Sequence, residues 1–169
     1  MSSTQSIIYF YDHLNNYYIF SNFYPTTFVS NELKYCCSEQ YFMKKKQELF
    51  DPFNILLANK IMQSNDPVVI KRYGRSVNNF KESIWSMHKY QIMLDALRFK
   101  FGQNQLLLDE LLNTTDSILV EASPTDKIWG IGISINDAKK GIEWKGQNLL
   151  GKALMEIRKE FEIIKSNIA

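Results

Sequence analysis

From Phe80 to Gly102 the chain places Trp85, His88, Ile92, Ala96 and Phe99 at helical spacing with no proline among them, and no other segment constrains the fold as strongly. One long helix with an aromatic face becomes the spine on which the remainder must pack, and Gly102 ends it. His88, on that face, reads as a core histidine satisfied by its surroundings rather than as a base.

The segments on either side supply strands and shorter helices. Ile7–Tyr11 and Tyr17–Phe20 are β-branched and aromatic runs separated by Asp-His-Leu-Asn-Asn, the composition of a strand, a turn and a second strand. Phe28–Val29 and Leu33–Cys36 flank Ser30-Asn31-Glu32 in the same manner, so residues 1–37 are expected to be a β-rich platform. Ser38 reads as the cap of a helix running to about Leu49. Asp51-Pro52 and Asp66-Pro67 each read as an N-cap followed by proline at the first helical position, the second of these helices ending near Gly74. After the spine come a short helix at Leu106–Leu112, a buried strand at Ile118–Val120, and an apolar, glycine-bearing loop from Ser123 to Gly146. A final helix from Asn148 to about Ile164 carries Leu150, Leu154, Ile157 and Phe161 on one face. The expected architecture is α+β, helix-dominated with a small sheet, in a single domain over residues 1–169.

Charge and cysteine usage remove several classes of function. Lys+Arg 20 against Asp+Glu 18 leaves a net charge of +2, too little to hold the chain on a polyanion. The two cysteines, Cys36 and Cys37, are adjacent, which disfavours an ordinary disulfide, and His13 and His88 stand apart from them, so neither a disulfide scaffold nor a metal or other cofactor is expected. The N-terminal apolar run stops at Tyr11 and has no basic flank, unlike a secretory signal or a membrane span. A reducing cytoplasm is the expected compartment.

Chemistry concentrates in two places. At about 100° per residue, Glu39 and Lys46 fall within roughly 20° of one another on a stripe that also holds Phe42, Met43 and Phe50, while Lys44 and Lys45 point elsewhere. A carboxylate and an ammonium on an apolar stripe are either paired and used, with burial lowering the lysine's pKa, or reach past its edge to solvent; periodicity leaves both open. The second place is the loop with Asp126, Trp129 and Gly130. It is either a ligand-stacking loop with an acid for a proton or ribose hydroxyls, or an ordinary turn capped by Asp126. Trp144-x-Gly146-x-Asn148 is either a close approach to a ligand or a helix start. Arg75, after Lys71 and Arg72, suits a phosphate or simply a helix C-terminus. Walker, dinucleotide and nucleophile-elbow motifs are absent from the sequence.

Taken in order, the motifs resemble those of one family. They are Ser21-Asn22-Phe23-Tyr24-Pro25, Ser38-Glu39-x-Tyr41-Phe42 with Lys46, Gly74-Arg75, Trp85, Met93, Lys100-Phe101, Val120-Glu121, Asp126-x-x-Trp129-Gly130 and Trp144-x-Gly146-x-Asn148-x-Leu150-Gly151-x-x-Leu154-Met155-x-x-Arg158. The sequence is similar to the YbiA-like, or NADAR, N-glycosidases over about residues 20–161. The resemblance implies a small α+β enzyme that hydrolyses the bond between a ribose and a nitrogen base. Its expected substrates are the reactive early phosphoribosyl intermediates of riboflavin biosynthesis. The alternatives are removal of ADP-ribose from guanine in nucleic acid, or noncatalytic binding of ADP-ribose. It further implies Glu39, Lys46 and Asp126 as catalytic residues, Lys46 attacking the anomeric carbon through an imine-type intermediate. Asn22, Phe23, Arg75, Trp129, Gly130, Trp144 and Asn148 are implied as substrate-binding residues. No membrane and no obligate protein partner is expected. Three departures from the family pattern stand out: Gln40 where many members carry His, Thr115 where Gly is usual, and Cys37 before Ser38 in place of a more polar residue.

Overall fold

The computed structural model describes residues 5–168. They form two compact units, one made of the stretch up to Ser21 together with the chain from Gln105 onward, the other of Asn22–Asn104. Seven α-helices and two two-stranded sheets are present among the described residues, so the α+β, helix-dominated class holds. No helix among them is long and apolar enough to cross a membrane.

In the first unit, β1 (Ile7–Phe10) pairs in parallel with β4 (Ile118–Glu121), in the register Ile7–Ile118 to Phe10–Glu121. The strand expected at Tyr17–Phe20 is instead a 3₁₀ turn, Tyr18–Phe20. Asn15 explains it: its Oδ1 accepts the Tyr17 N–H at 2.9 Å and its carbonyl accepts from Tyr18, closing a turn that stacks the Tyr17 and Phe20 rings. Residues 1–37 are therefore not one β platform, because β1 finds its partner more than a hundred residues away. Three helices complete this unit: α5 (Gln105–Asn113), α6 (Ile135–Lys139), which lies inside the expected loop, and α7 (Leu149–Ile168). Val120, Ala122, Ile131, Ile133 and Ala138 form a common core.

The second unit opens with the hairpin β2 (Phe28–Ser30) and β3 (Leu33–Tyr35), turned by Asn31 and Glu32 at φ 48° and 64°. Then follow α1 (Ser38–Phe50), α2 (Ile55–Gln63), α3 (Pro67–Arg75) and the spine α4 (Glu82–Gly102). Two caps differ from expectation. Cys37 precedes α1 in extended conformation without a side-chain cap, and Ser38 is already helical. Asp51 closes α1, while Asn54 caps α2 by accepting from the Leu57 N–H at 3.0 Å. Asp66 caps α3 as its Asp-Pro pair indicates. Phe28, Tyr35, Tyr41 and Ala96 form the core beneath the hairpin. His88 lies on the exposed side of α4, so it is not a core histidine; the apolar face turns Trp85, Met93, Leu94 and Leu97 inward instead.

Helices α1 and α3 approach closely at Gly74, where a Cβ would overlap the Met43 sulfur. Buried Gln40 ties α1 to the end of α2: its Oε1 accepts from the Cys36 N–H at 2.8 Å, and its Nε2 donates to the carbonyls of Ile61, Met62 and Ser64.

Candidate active site

In α1 the expected stripe is realised. Glu39, Phe42, Met43 and Phe50 are buried, and Lys46 is half-buried beside them. Lys44 and Lys45 turn aside, both bridging Glu48 at 2.7 Å. Glu39 sits in the first turn, where the helix dipole favours a carboxylate, and its N–H donates to the Asn22 carbonyl at 3.1 Å. That bond fastens the Asn22 segment to the start of α1. Asn22 is only 7% exposed and Ser38 is fully buried, and the Asn22 Oδ1 and Ser38 Oγ have no hydrogen-bond partner among the described residues.

The Lys46 Nζ lies 4.2 Å from the centroid of the Phe80 ring and 5.8 Å from that of Trp85. Phe42 packs on Trp85 at 4.9 Å, and Phe50 meets both Phe80 and Trp85 edge-on. Burial in this aromatic nest pushes the Lys46 ammonium below the ordinary lysine range. Glu82 and then Glu39 pull it back up, and the Arg75 guanidinium adds to the downward push. Desolvation therefore wins over the neighbouring carboxylates, the balance that sequence left open. Arg75, exposed at the end of α3, faces Lys46 electrostatically, and half-buried Phe23 lies 5.6 Å beneath the Lys71 Nζ.

Spacing along one helix could not reveal Phe80 and Glu82, which reach Lys46 from the start of α4 and the turn before it. Nor did it single out Lys100 as a buried charge. Lys100 is fully buried, its Nζ 5.5 Å from the Tyr24 ring and 5.2 Å from that of Phe101, and burial pushes its ammonium down to about 7 against a smaller upward effect of Cys37.

In the other unit, the Asp126 Oδ1 accepts the N–H groups of Ile128 and Trp129 at 2.9 and 2.8 Å, a local turn that presents half-buried Trp129. Gly130 and Gly146 lie against one another. A Cβ on Gly146 would collide with the Gly130 carbonyl oxygen and the Lys127 Cα, which explains glycine at this position in the Trp144 motif. Trp144 is 38% exposed. Asn148, at φ 53°, uses its whole amide on β4: Oδ1 accepts from the Glu121 N–H at 3.0 Å, and Nδ2 donates to the Leu119 carbonyl at 2.9 Å. Asn148 thus orders the strand end and the loop rather than presenting a free amide. A surface cavity of about 520 Å³ between α5 and α7, lined in part by Asp116, Arg158 and Glu162, contains none of these residues.

The NADAR domain model matches residues 9–162. The chain is 44% identical over 151 residues to N-glycosidase R617 of Acanthamoeba polyphaga mimivirus, covering 85% of this chain and 87% of that protein. It is 33% identical over 160 residues to N-glycosidase YbiA of Escherichia coli K12, covering 95% and 91%. The NMR structure of E. coli YbiA aligns with a TM-score of 0.78 at 32% identity, covering 95% of this chain and 88% of that one. Riboflavin biosynthesis protein VVA0006 of Vibrio vulnificus is 30% identical over 155 residues, which span 92% of this chain and 38% of that protein.

Proposed function

The chain belongs to the NADAR domain family, and from that premise we propose that it is an N-glycosidase acting on phosphorylated N-ribosides, with the reactive early phosphoribosyl intermediates of riboflavin biosynthesis as its substrates. Lys46 is the nucleophile and Glu39 its proton-transfer partner. The observation that carries this reading is the Lys46 amino group itself, half-buried against Phe80 and Trp85 and driven by desolvation toward the uncharged form a nucleophile needs. Glu39 shares its stripe, positioned to stabilise oxocarbenium character at the anomeric carbon, to carry the proton from Lys46 to the departing base, and later to activate water. Arg75 binds the phosphate, a role supported by an exposed guanidinium whose charge acts on Lys46. Asn22 and Phe23 contribute binding around the start of α1. In the other unit Asp126 and Asn148 hold the shape of the loop that carries Trp129, Gly130 and Trp144.

The test is a turnover assay on those phosphoribosyl intermediates, with ADP-ribosylated guanine DNA in parallel. Ribose 5-phosphate release by the wild type from the first alone is the expected result. Lys46→Ala is expected to lower the rate by at least about 10³-fold, as loss of a nucleophile does, whereas Lys44→Ala and Lys45→Ala stay within about twofold. Equal losses in all three would replace the nucleophile by a basic patch. Release of ADP-ribose from the DNA alone would replace the substrate.

A further inference from the structure

We propose that Phe80 is a further catalytic residue of this chain: the face of its ring, set beside the Lys46 Nζ, stabilises the positive charge that passes through that nitrogen and the sugar carbon bound to it. The assignment rests on the nucleophilic role of Lys46 proposed above and extends it to a residue outside the family motifs.

Three observations carry it. The ring centroid stands 4.2 Å from Nζ, nearer than the 5.8 Å of Trp85 and well inside the range of roughly 6 Å over which a ring face attracts a cation. Among the four aromatic residues of the cluster, Phe42, Phe50 and Trp85 are at most 7% exposed while Phe80 is 39% exposed, so a substrate attached to Nζ can meet its ring. The ring is also held in place. Phe50 packs on it at 5.2 Å, and the preceding turn is fixed by the Asp51 Oδ2, which accepts from the Asn78 side-chain amide at 2.9 Å.

The chemistry shows when such a ring contributes. The Nζ lone pair bonds to the anomeric carbon as the carbon–base bond breaks; the base nitrogen keeps that electron pair and takes the proton that Nζ releases, relayed by Glu39. The ribosylamine then opens: the ring oxygen takes its bonding pair and a proton from water, and Nζ donates its pair to the carbon, giving an iminium cation. The hydroxide left behind adds to the carbon. The carbinolamine collapses as its hydroxyl proton passes to nitrogen and the carbon–nitrogen bond breaks, releasing ribose 5-phosphate and the free amine. The net change is consumption of one water. A ring face attracts the cation and the oxocarbenium-like transition state more than the neutral amine, which is the condition for raising kcat.

The experiment replaces Phe80 by mono-, di- and trifluorinated phenylalanine, which keep its shape while draining the ring face, alongside Phe80→Leu. Steady-state kcat and KM and single-turnover base release are measured on a phosphoribosyl intermediate of riboflavin biosynthesis, together with borohydride reduction of the intermediate and the mass of the Lys46 adduct. The expected result is a stepwise fall in kcat with each fluorine, roughly two- to thirtyfold in total, with KM unchanged and the adduct still formed. A flat series in a wild type that turns over and traps at Lys46 overturns the role of Phe80 alone, as does a rise in KM at constant kcat, which would mark a base-stacking surface. Wild-type turnover without an adduct at Lys46 overturns the nucleophile, and the charge assigned to Phe80 goes with it.

Discussion

Two lysines show how position sets charge. Lys46 is half-buried and has Glu39 and Glu82 within its field, whereas Lys100 is wholly enclosed by Tyr24, Phe101 and their neighbours. The Lys100 ammonium titrates near 7 in the folded chain and near 10.5 when unfolded. Between those values the unfolded state binds more protons, so folding gains stability as pH rises through this window. Below about 7 both states are protonated and the full penalty of burial persists. Lys100→Met is therefore expected to abolish this pH slope of stability between 7 and 10, read from urea midpoints at successive pH values. An unchanged slope would mean that Lys100 stays charged in the folded chain over this range. Neither lysine's state was legible in its neighbours along the chain. Both depend on rings brought from elsewhere in the Asn22–Asn104 unit, Phe80 and Trp85 for one and Tyr24 for the other.

Among the elements, the end of α5 holds the clearest strain. Thr115 lies at φ 50°, a left-handed conformation that crowds a β-branched side chain and that glycine adopts freely. A glycine at this place, as the family pattern has it, would be free of that crowding: the Thr115 N–H donates to the Leu112 carbonyl at 3.0 Å and closes the helix in a left-handed cap. Thr115→Gly is expected to stabilise the chain by about 1 kcal/mol, seen as a higher denaturation midpoint at constant m-value. A loss of stability would show that the threonine side chain contributes more than its backbone strain removes. Elsewhere the element pattern was largely readable: α1, α3, α4, α5, β4 and α7 follow from periodicity and caps within a few residues. The 3₁₀ turn at Tyr18–Phe20 and the later start of α2 come from side chains bonded to the local backbone, at Asn15 and Asn54, and the β1–β4 pairing joins strands far apart along the chain.

For the whole molecule, a net charge of +2 together with the small phosphorylated substrate proposed above predicts little salt dependence. The kcat/KM for a phosphoribosyl intermediate is expected to change by less than about threefold between roughly 50 and 200 mM salt, whereas a chain neutralising six or more phosphates of a duplex would lose about 10³ in affinity over that range. Steep salt dependence would point to a polyanionic substrate. Sequence by itself determined the family, the helix-dominated class and the Glu39–Lys46 stripe, because helical periodicity and motif order are properties of the chain read in one dimension. Only the tertiary structure decided that desolvation outweighs the carboxylates at Lys46, that Phe80 faces its amine, and that Asn148 is committed to β4. Each of these is set by which residues distant in sequence exclude water from a group or satisfy its hydrogen bonds, and that is a property of packing.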